Sequence, residues 1–461
     1  MKKISIILFF ILSVSLLFAQ SKSEEAYKAI QNSNFEKALT LAKDLLTVDS
    51  TDTALKVLII LREKEPGNIK VQEMIGDVYN KLGVLELAAS NYLEVEKRDS
   101  LNIPLKFKLA EVYYKQKKYT DAVNAYLRIL HVDSTNVQAI KNISKIFYLA
   151  KLYQNAAFYL TKYLNIEKSE DAYVEAANSF LEVGKYNEAY NYSKSGLQLY
   201  PNNNTLKKIQ AITAYYLTKL DESVNLYTSL PDSLLNIMDL IKIGRAAEII
   251  NKDSLALQSF SKAYQKDSTL KEIFIDLANL NYLKKDYDKA IKFYKKQIEV
   301  DSNNEPAYRY IGFAYFQEQK YDESRKALLK AIRLNENQVS THFWLAQVYK
   351  ALDSLSKVED EFQIVLKLIE GKESNYRNEG ADAYGYLGQR AFERKNYSLA
   401  SNYLKKALQL KADVLPFLIM LASSEHQLGN YSEAIKLYKR VLVLDPKNVI
   451  AKKGLRMLSA D

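Results

Sequence analysis

The sequence predicts an all-α protein built from stacked helical hairpins, an α-solenoid. Three observations support this fold class: apolar residues recur at helical spacing, one pattern returns along the chain, and Gly and Pro are scarce. The 461 residues include 13 Gly, 7 Pro and no Cys, and 48% are hydrophobic. We expect order over nearly the whole chain, with stability from packing rather than from disulfides.

Residues 1–19 have the three parts of a secretory signal peptide. Two lysines precede an apolar run from Ile4 to Phe18, and Ala19 is a small residue at which a signal peptidase can cut. The alternative is a membrane anchor, but the run is shorter than the ~18–20 apolar residues that a spanning helix needs. We expect cleavage after Ala19 and export, with a mature protein that is soluble in the periplasm, the cell envelope or the extracellular space.

Residues 20–66 form an irregular N-terminal region or degenerate repeat. They contain two segments that look like the second helix of the later hairpins, without a full first helix between them. An odd number of helices is therefore predicted before the regular repeats begin.

One unit then repeats nine times over residues 67–370 and twice more over residues 379–446. The segment KYTDAVNAYLRILHVDSTN at 118–136 returns as DYDKAIKFYKKQIEVDSNN at 286–304 and as NYSEAIKLYKRVLVLDPKN at 430–448. The commonest spacing between equivalent small residues is about 34 residues, the period of a helix–turn–helix repeat. One hairpin of this size cannot bury its apolar face alone, so the copies are expected to stack.

Each period holds two helices, helix A and helix B. In one copy the apolar spacing predicts helix A over 306–318, a turn at 319–320 and helix B over 321–334. The Asp, Ser and Asn residues at repeat ends are suited to N-cap the next helix. Small residues recur on helix A, where they let the two helices cross at ~8 Å: Gly76, Ala110, Ser144, Ala177, Gly244, Ala278, Gly312, Ala346, Gly388 and Ala422.

Three further irregularities are predicted. The unit that contains LDESVNLYTSLPDS has a shortened helix B, and residues 371–378 are an insertion loop that lengthens one period by about eight residues. Residues 447–461 form a short C-terminal capping helix, which we expect to be polar on its outer face.

Residues that could support catalysis or bind a cofactor are few. His131, His342 and His426 are the only histidines, and no zinc-binding, phosphate-binding or serine-nucleophile motif surrounds them or the glycines. We predict no catalytic residue, no metal and no cofactor, and therefore no enzymatic activity. The net charge of +10 permits weak contact with anionic surfaces. Because acids are interspersed with the lysines and export is expected, we predict no nucleic-acid partner, and membrane contact only through the transient signal peptide.

These features resemble the tetratricopeptide repeat (TPR) family, in the form of an exported bacterial-type member. The resemblance rests on segments such as GFAYFQEQKYDESRKAL and GNYSEAIKLYKRVLVLDPKN and covers about residues 67–446. Departures include Val358 in place of the family's alanine, and Ser, Lys or Glu in place of most terminal prolines. The resemblance implies a right-handed superhelix that holds partner peptides or helices on its concave face.

The family's carboxylate clamp, which grips chaperone C-termini, looks absent. It needs lysine and asparagine at fixed positions, whereas Lys145 stands where asparagine should follow Lys141, and Ile275 stands where lysine should precede Asn279.

Two surfaces are candidates for binding. One is a basic ridge on helix B, for which a solvated face is the simpler interpretation: Arg128, Lys162, Lys262, Lys296, Lys330, Lys406 and Arg440. The other is one side of three successive A helices, where aromatic residues lie beside an arginine and amides, as in binding hot spots. We call these eight residues the partner surface: Ile275, Asn279, Tyr282, Arg309, Phe313, Phe316, Phe343 and Gln347. Packing between adjacent units is the alternative interpretation of its rings.

The sequence thus predicts a non-enzymatic scaffold or adaptor in the periplasm or cell envelope that binds other proteins on its concave face. The alternative is a solenoid that binds cell-wall or exported polysaccharide and assists envelope assembly. Sugar sites depend on exposed tryptophan, and Trp344 is the only Trp, so the protein partner is preferred.

Overall fold

The computed structural model describes residues 2–47 and 50–458, with side chains from residue 17 onward. Within these residues every regular element is an α-helix or a short 3-10 helix, and no strand occurs. The chain divides into two compact units, unit 1 up to Leu234 and unit 2 from Leu235. The prediction of an all-α fold of tandem helices is confirmed.

Unit 1 begins with three helices and continues with five hairpins, each a helix A followed by a helix B. The three helices are α1 (Lys2–Gln31), α2 (Phe35–Thr47) and α3 (Thr51–Lys64). The hairpins are α4 (Ile69–Lys81) with α5 (Leu85–Arg98), α6 (Ile103–Lys115) with α7 (Tyr119–Val132), α8 (Val137–Leu149) with α9 (Tyr153–Ile166), α10 (Glu170–Glu182) with α11 (Tyr186–Leu199), and α12 (Asn204–Tyr216) with α13 (Leu220–Thr228).

Unit 2 contains six hairpins and a last helix. They are α14 (Ile237–Ile249) with α15 (Asp253–Lys266), α16 (Phe274–Leu283) with α17 (Tyr287–Val300), α18 (Glu305–Gln317) with α19 (Tyr321–Leu334), α20 (Val339–Ala351) with α21 (Leu355–Ile369), α22 (Arg377–Glu393) with α23 (Tyr397–Leu410), α24 (Leu415–Gln427) with α25 (Tyr431–Leu444), and α26 (Val449–Leu458). The 3-10 helices are Asp232–Leu234 in unit 1 and Lys271–Ile273 and Glu373–Tyr376 in unit 2.

The N-caps of several A helices follow the sequence prediction. The Asn136 side chain accepts a hydrogen bond from the backbone N–H of Ala139, and Asn304 accepts one from Ala307. These bonds satisfy amides that the first turn of a helix leaves without a partner. The predicted capping role of the repeat ends is confirmed at these positions.

The turn from helix A to helix B has one recurrent geometry. A residue in the left-handed region precedes the N-cap of helix B, for example Lys117 (φ 61°) and Gly184 (φ 74°). In five hairpins, aromatic rings on either side of the turn pack edge to face with centroids 5.4 to 5.9 Å apart: Tyr114–Tyr119, Tyr148–Tyr153, Tyr282–Tyr287, Phe316–Tyr321 and Phe392–Tyr397.

Small residues on helix A lie where helix B crosses it. A Cβ atom at Gly312 would lie 2.6 Å from the Leu328 side chain, and one at Gly76 would lie 2.5 Å from the Tyr92 ring. The Ser324 hydroxyl donates to the Gly312 carbonyl over 2.7 Å, which holds the two backbones close together. Helix–helix distance in each hairpin is therefore set by these positions.

The irregular segments have defined structures. Helix α13 has 9 residues, so the predicted shortening of this helix B is confirmed. Most of the insertion predicted as a loop at 371–378 is helical, because the 3-10 helix Glu373–Tyr376 leads directly into α22. Helix α1 runs without interruption past Ala19, whose side chain is buried in the N-terminal core.

The outer face of the C-terminal helix differs from expectation. Helix α26 buries Ala451 and Gly454, but Val449, Ile450 and Met457 are more than half exposed beside its basic residues. The prediction of a polar outer face is therefore wrong, because apolar side chains occupy both sides of this short helix. Elsewhere, none of the helices within the described residues has the length and hydrophobicity that a membrane span requires.

Candidate partner-binding site

The partner surface lies on helices α16, α18 and α20 of unit 2. Its residues occupy equivalent places on successive A helices because four- and seven-residue steps return to the same side of a helix. Tyr282, Phe316 and Phe343 are half-buried, and so are Ile275 and Gln347. The structure thus leaves these five side chains partly accessible.

The aromatic residues form one continuous cluster around Trp344. Its ring lies 5.1 Å from Phe316, 5.2 Å from Phe313 and 6.2 Å from Phe343, measured between centroids. Trp344 follows Phe343 directly, and the register used for the prediction omitted it. Trp344 is half-buried by three neighbouring rings, so part of its ring is not available to stack on a sugar.

Phe313 requires a correction. Its side chain is 7% exposed and belongs to the buried core shared with Leu328, Leu345 and Val348. Trp344, on the next repeat, and Tyr310 cover the ring. Phe313 therefore supports the surface from below and is not available as a contact in the free chain.

Two polar members of the partner surface are already bound within the fold. The Asn279 carbonyl oxygen accepts a hydrogen bond of 2.7 Å from the buried Tyr294 hydroxyl. The Arg309 Nε donates to Glu305 over 2.9 Å, and its guanidinium carbon lies 4.8 Å from the Tyr310 ring centroid. These contacts fix both side chains in place and reduce their freedom to meet a partner.

Acidic groups beside the surface were missed by the sequence reasoning. Burial raises the pKa of Asp276, with Arg245 acting in the opposite direction. Burial also raises the pKa of Glu248, and repulsion from Asp276 and Asp253 adds to this effect. Carboxyl groups with a shifted pKa beside a half-exposed surface are candidates for function. The sequence did not indicate this pair because Glu248 and Asp276 are 28 positions apart and meet only in the folded structure.

The basic ridge is largely engaged within the fold. Arg128 pairs with Glu96 over 2.9 Å, and Arg440 pairs with Asp413. Four lysines lie over aromatic rings, and Lys262 also has a partner: Lys162 over Phe158, Lys296 over Phe274, Lys330 over Tyr308 and Lys406 over Tyr384. These contacts account for the ridge as part of the packing within and between the repeats.

His342 is the one histidine with a buried network among the described residues. Its Nδ1 lies 2.6 Å from Glu361 and its Nε2 lies 2.9 Å from the Glu336 carbonyl. Burial by itself would lower the pKa of His342, but these two acceptors outweigh it and raise the pKa. No group of His, Asp or Glu side chains in the described part of the chain is arranged to hold a metal ion.

This architecture defines a protein of repeated helical hairpins, and comparison with known proteins identifies the repeat. Models described as TPR repeat or tetratricopeptide repeat match residues 107–172, 272–304, 312–353 and 416–448. The chain therefore contains tetratricopeptide repeats. Repeats of this type form scaffolds for protein–protein interaction.

Relatives among characterised and uncharacterised proteins are distant. A TPR repeat-containing protein of Methanocaldococcus jannaschii is 23% identical over 304 residues, 65% of this chain and 50% of the relative. An uncharacterized protein of Cyanophora paradoxa is 34% identical over 114 residues, 25% of this chain and 64% of the relative. The chain therefore spans about half to two thirds of the length of these two relatives.

Two solved structures are also similar. The C-terminal part of a TPR repeat-containing protein from Cytophaga hutchinsonii has a TM-score of 0.39 and 18% identity, and covers 61% of this chain and 99% of its own. YrrB, described as a TPR protein with an unusual peptide-binding site, has a TM-score of 0.36 and 18% identity, with 44% and 100% covered.

Proposed function

We propose that the protein is a non-enzymatic scaffold that binds a segment of another protein on the partner surface of α16, α18 and α20. The observation that carries this proposal is the half-exposed aromatic cluster around Trp344. Aromatic side chains that are held rigid by neighbours and remain partly accessible are typical of binding hot spots.

The chemistry of the surface describes the segment that it would bind. Phe316 and Phe343 offer ring faces to an apolar side chain, and the half-buried amide of Gln347 can bond to a peptide group. Asp276 and Glu248 add negative charge at one end of the surface. A peptide or helix with an apolar side chain and a nearby cation fits this arrangement.

The test combines loss of binding with a map of the contact. The double variant Phe316→Ser with Phe343→Ser should lose the partners that the parent captures from an envelope extract, while keeping its helical circular dichroism at the temperature of the assay. Phe158→Ser removes an exposed ring outside the surface and should retain them. Unchanged capture by the double variant would end the proposal.

If the double variant fails to fold, a photo-crosslinking residue can test whether the captured protein contacts the partner surface. Placed at Gln347 it should attach to the captured protein, whereas the same residue at the exposed Gln265 on α15 should not. Equal yields at the two positions would mean that capture does not use the partner surface.

We also propose that the protein is exported and acts in the periplasm or cell envelope. The support is the sequence of residues 1–19, with two lysines, an apolar run and Ala19. N-terminal sequencing of the protein from an envelope fraction should find Gln20 first. A protein that begins at Met1 in that fraction would point to an uncleaved anchor.

A further inference from the structure

We propose a second binding surface in unit 1 that docks on a lipid bilayer with anionic headgroups. The surface, here called the turn edge, consists of the A-to-B turns of three successive hairpins, α6/α7, α8/α9 and α10/α11. It joins four lysines with five exposed apolar residues: Lys117, Lys118, Lys151 and Lys185, with Tyr114, Tyr119, Leu149, Leu152 and Val183.

The charge of the turn edge is the first argument. The segments that connect helix A to helix B in these hairpins, 116–118, 150–152 and 183–185, contain lysines and no acidic residue. Segments on the opposite edge, which connect helix B to the next helix A, carry Asp99, Asp133 and Glu167. The acids nearest in sequence to the turn edge are Glu182 at the end of α10, and Asp121 and Glu188 in the first turns of α7 and α11.

The lysines are available for an external anion. Within the part of the chain that the structure describes, the ammonium groups of Lys117, Lys118, Lys151 and Lys185 form no hydrogen bond or ion pair. Lys115, one position before this group, differs because it pairs with Glu111 over 2.8 Å. Four exposed cations without internal partners attract anionic headgroups additively.

Two of these lysines lie at the tip of their turn, where the backbone is left-handed. Lys117 and Lys151 have φ values of 61° and 58°, in a region that glycine adopts more readily than residues with a side chain. Gly83 and Gly184 occupy the same place in neighbouring turns. Residues with a side chain, such as Lys285, fill this place in other turns, so the backbone accepts a lysine here, and its charge then lies at the tip of the turn.

The apolar residues supply the second half of a membrane contact. Leu149 and Leu152 are 60% and 52% exposed, on either side of Lys151. The rings of Tyr114 and Tyr119 lie edge to face and border a cavity of about 120 Å³ together with Ile146, Leu149 and Ala150. Leucine and tyrosine beside lysine form the residue mix of segments that rest in the headgroup layer.

The arrangement favours a bilayer over an acidic peptide. The contacts are spread over the ends of three hairpins, whose helices are spaced by roughly 10 Å, rather than along one groove. The cavity is too small for a peptide backbone with its side chains. An array of cations and apolar groups spread over three successive turns matches a lipid surface, which offers charge and hydrocarbon everywhere along it.

The test uses the absence of Cys from the chain. A polarity-sensitive fluorophore on Leu152→Cys should shift to the blue when the full chain meets vesicles of phosphatidylcholine with phosphatidylglycerol. The same label on Leu101→Cys, which is 70% exposed on the opposite edge of unit 1, should not shift. This comparison separates the turn edge from any contact through the N-terminus, because the two labelled proteins have the same N-terminal sequence.

Charge removal is the second arm. Changing Lys117, Lys118, Lys151 and Lys185 to Gln should weaken vesicle binding, measured by the Leu152→Cys label, by about 100-fold or more, because each lysine contributes about fivefold. The matched control changes four exposed lysines outside the turn edge to Gln and has the same net charge as the first variant. Its vesicle binding should stay within about threefold of the parent. The four control lysines are Lys64, Lys271, Lys372 and Lys447.

Three results would overturn the proposal. Equal shifts at positions 152 and 101 would mean that the turn edge is not the contact. Equal loss of vesicle binding in both lysine variants would mean that binding depends on the net charge of the protein and not on the turn edge. A shift with soluble poly-glutamate but not with the anionic vesicles would assign the edge to an acidic protein instead of a membrane.

Discussion

The two sides of helix A in unit 2 differ in how completely their side chains find packing or hydrogen-bond partners within the fold. On the side that faces helix B, groups have fixed partners: Gly312 leaves room for Leu328, and Glu425 accepts from three donors. On the side that carries the partner surface, Phe316 and Phe343 remain half-exposed and Asp276 has its pKa raised by burial. The first side therefore contributes fixed contacts to stability, and the second is the side on which we propose that a partner binds.

Glu425 should give the largest loss of stability. It is 1% exposed and accepts from Lys405 over 2.6 Å, from Asn430 over 2.6 Å and from the Ser401 hydroxyl. Burial alone would raise the pKa of Glu425, but these donors lower it. Glu425→Ala leaves the donors without an acceptor and should cost about 3 kcal/mol of unfolding free energy.

Urea unfolding of the Glu425→Ala variant measures this cost. Gln427→Ala, an exposed change on the same helix, should stay within about 0.5 kcal/mol of the parent. Equal urea midpoints for the two variants would contradict the proposed difference between the two sides of helix A.

Gly312→Leu should be the next most damaging change, at about 1–3 kcal/mol. A side chain at this position meets Leu328 at 2.6 Å, so the helices must separate or the leucine must leave its rotamer. The matched control is Gln317→Leu, which adds the same side chain at an exposed position on α18. If the control destabilised as much as Gly312→Leu in the same urea experiment, the crossing would not be the tight contact described here.

The hydrogen bonds of His342 should make a contribution to stability that depends on pH. Because its two acceptors raise the pKa of His342, its contribution is complete below the unfolded value of about 6.5 and is lost as pH rises through the folded value. His342→Gln should therefore cost about 1 kcal/mol at pH 5 and progressively less at alkaline pH. Thermal melts of parent and variant across this range test the sign, and a variant cost that grew with pH would contradict it.

Much of this fold is predictable from the sequence, and the reason is local. Helix B of the copy at 321–334 has the predicted bounds, because its apolar spacing and the preceding turn fix both ends. The shortened α13 was also visible, since Pro231 follows closely and cannot continue a helix. Contacts inside one hairpin are set by residues within a single period.

The partner surface was only partly predictable because it depends on contacts between periods. Register alone placed Phe313 beside Phe316, but Trp344 of the next repeat buries the former and leaves the latter half-exposed. The interaction between Asp276 and Arg245 joins residues 31 positions apart on successive A helices. Such relations depend on how far each repeat rotates against the next, which periodicity does not specify.

Asp276→Asn should have the smallest effect on stability and the opposite sign from Glu425→Ala. Because burial raises the pKa of Asp276, ionisation of this carboxyl costs stability above its ordinary pKa of about 4, and the cost is absent below it. The amide removes the charge, so Asp276→Asn should leave the unfolding free energy unchanged or raise it slightly at pH 7, by at most about 0.5 kcal/mol, and should have no effect at pH 3. Asp288→Asn, at a side chain that is 83% exposed, controls for the change in net charge. If Asp276→Asn lowered the unfolding free energy in urea by more than about 1 kcal/mol at pH 7, Asp276 would be held by donors as Glu425 is. Its carboxylate would then not be available to a cation on a partner.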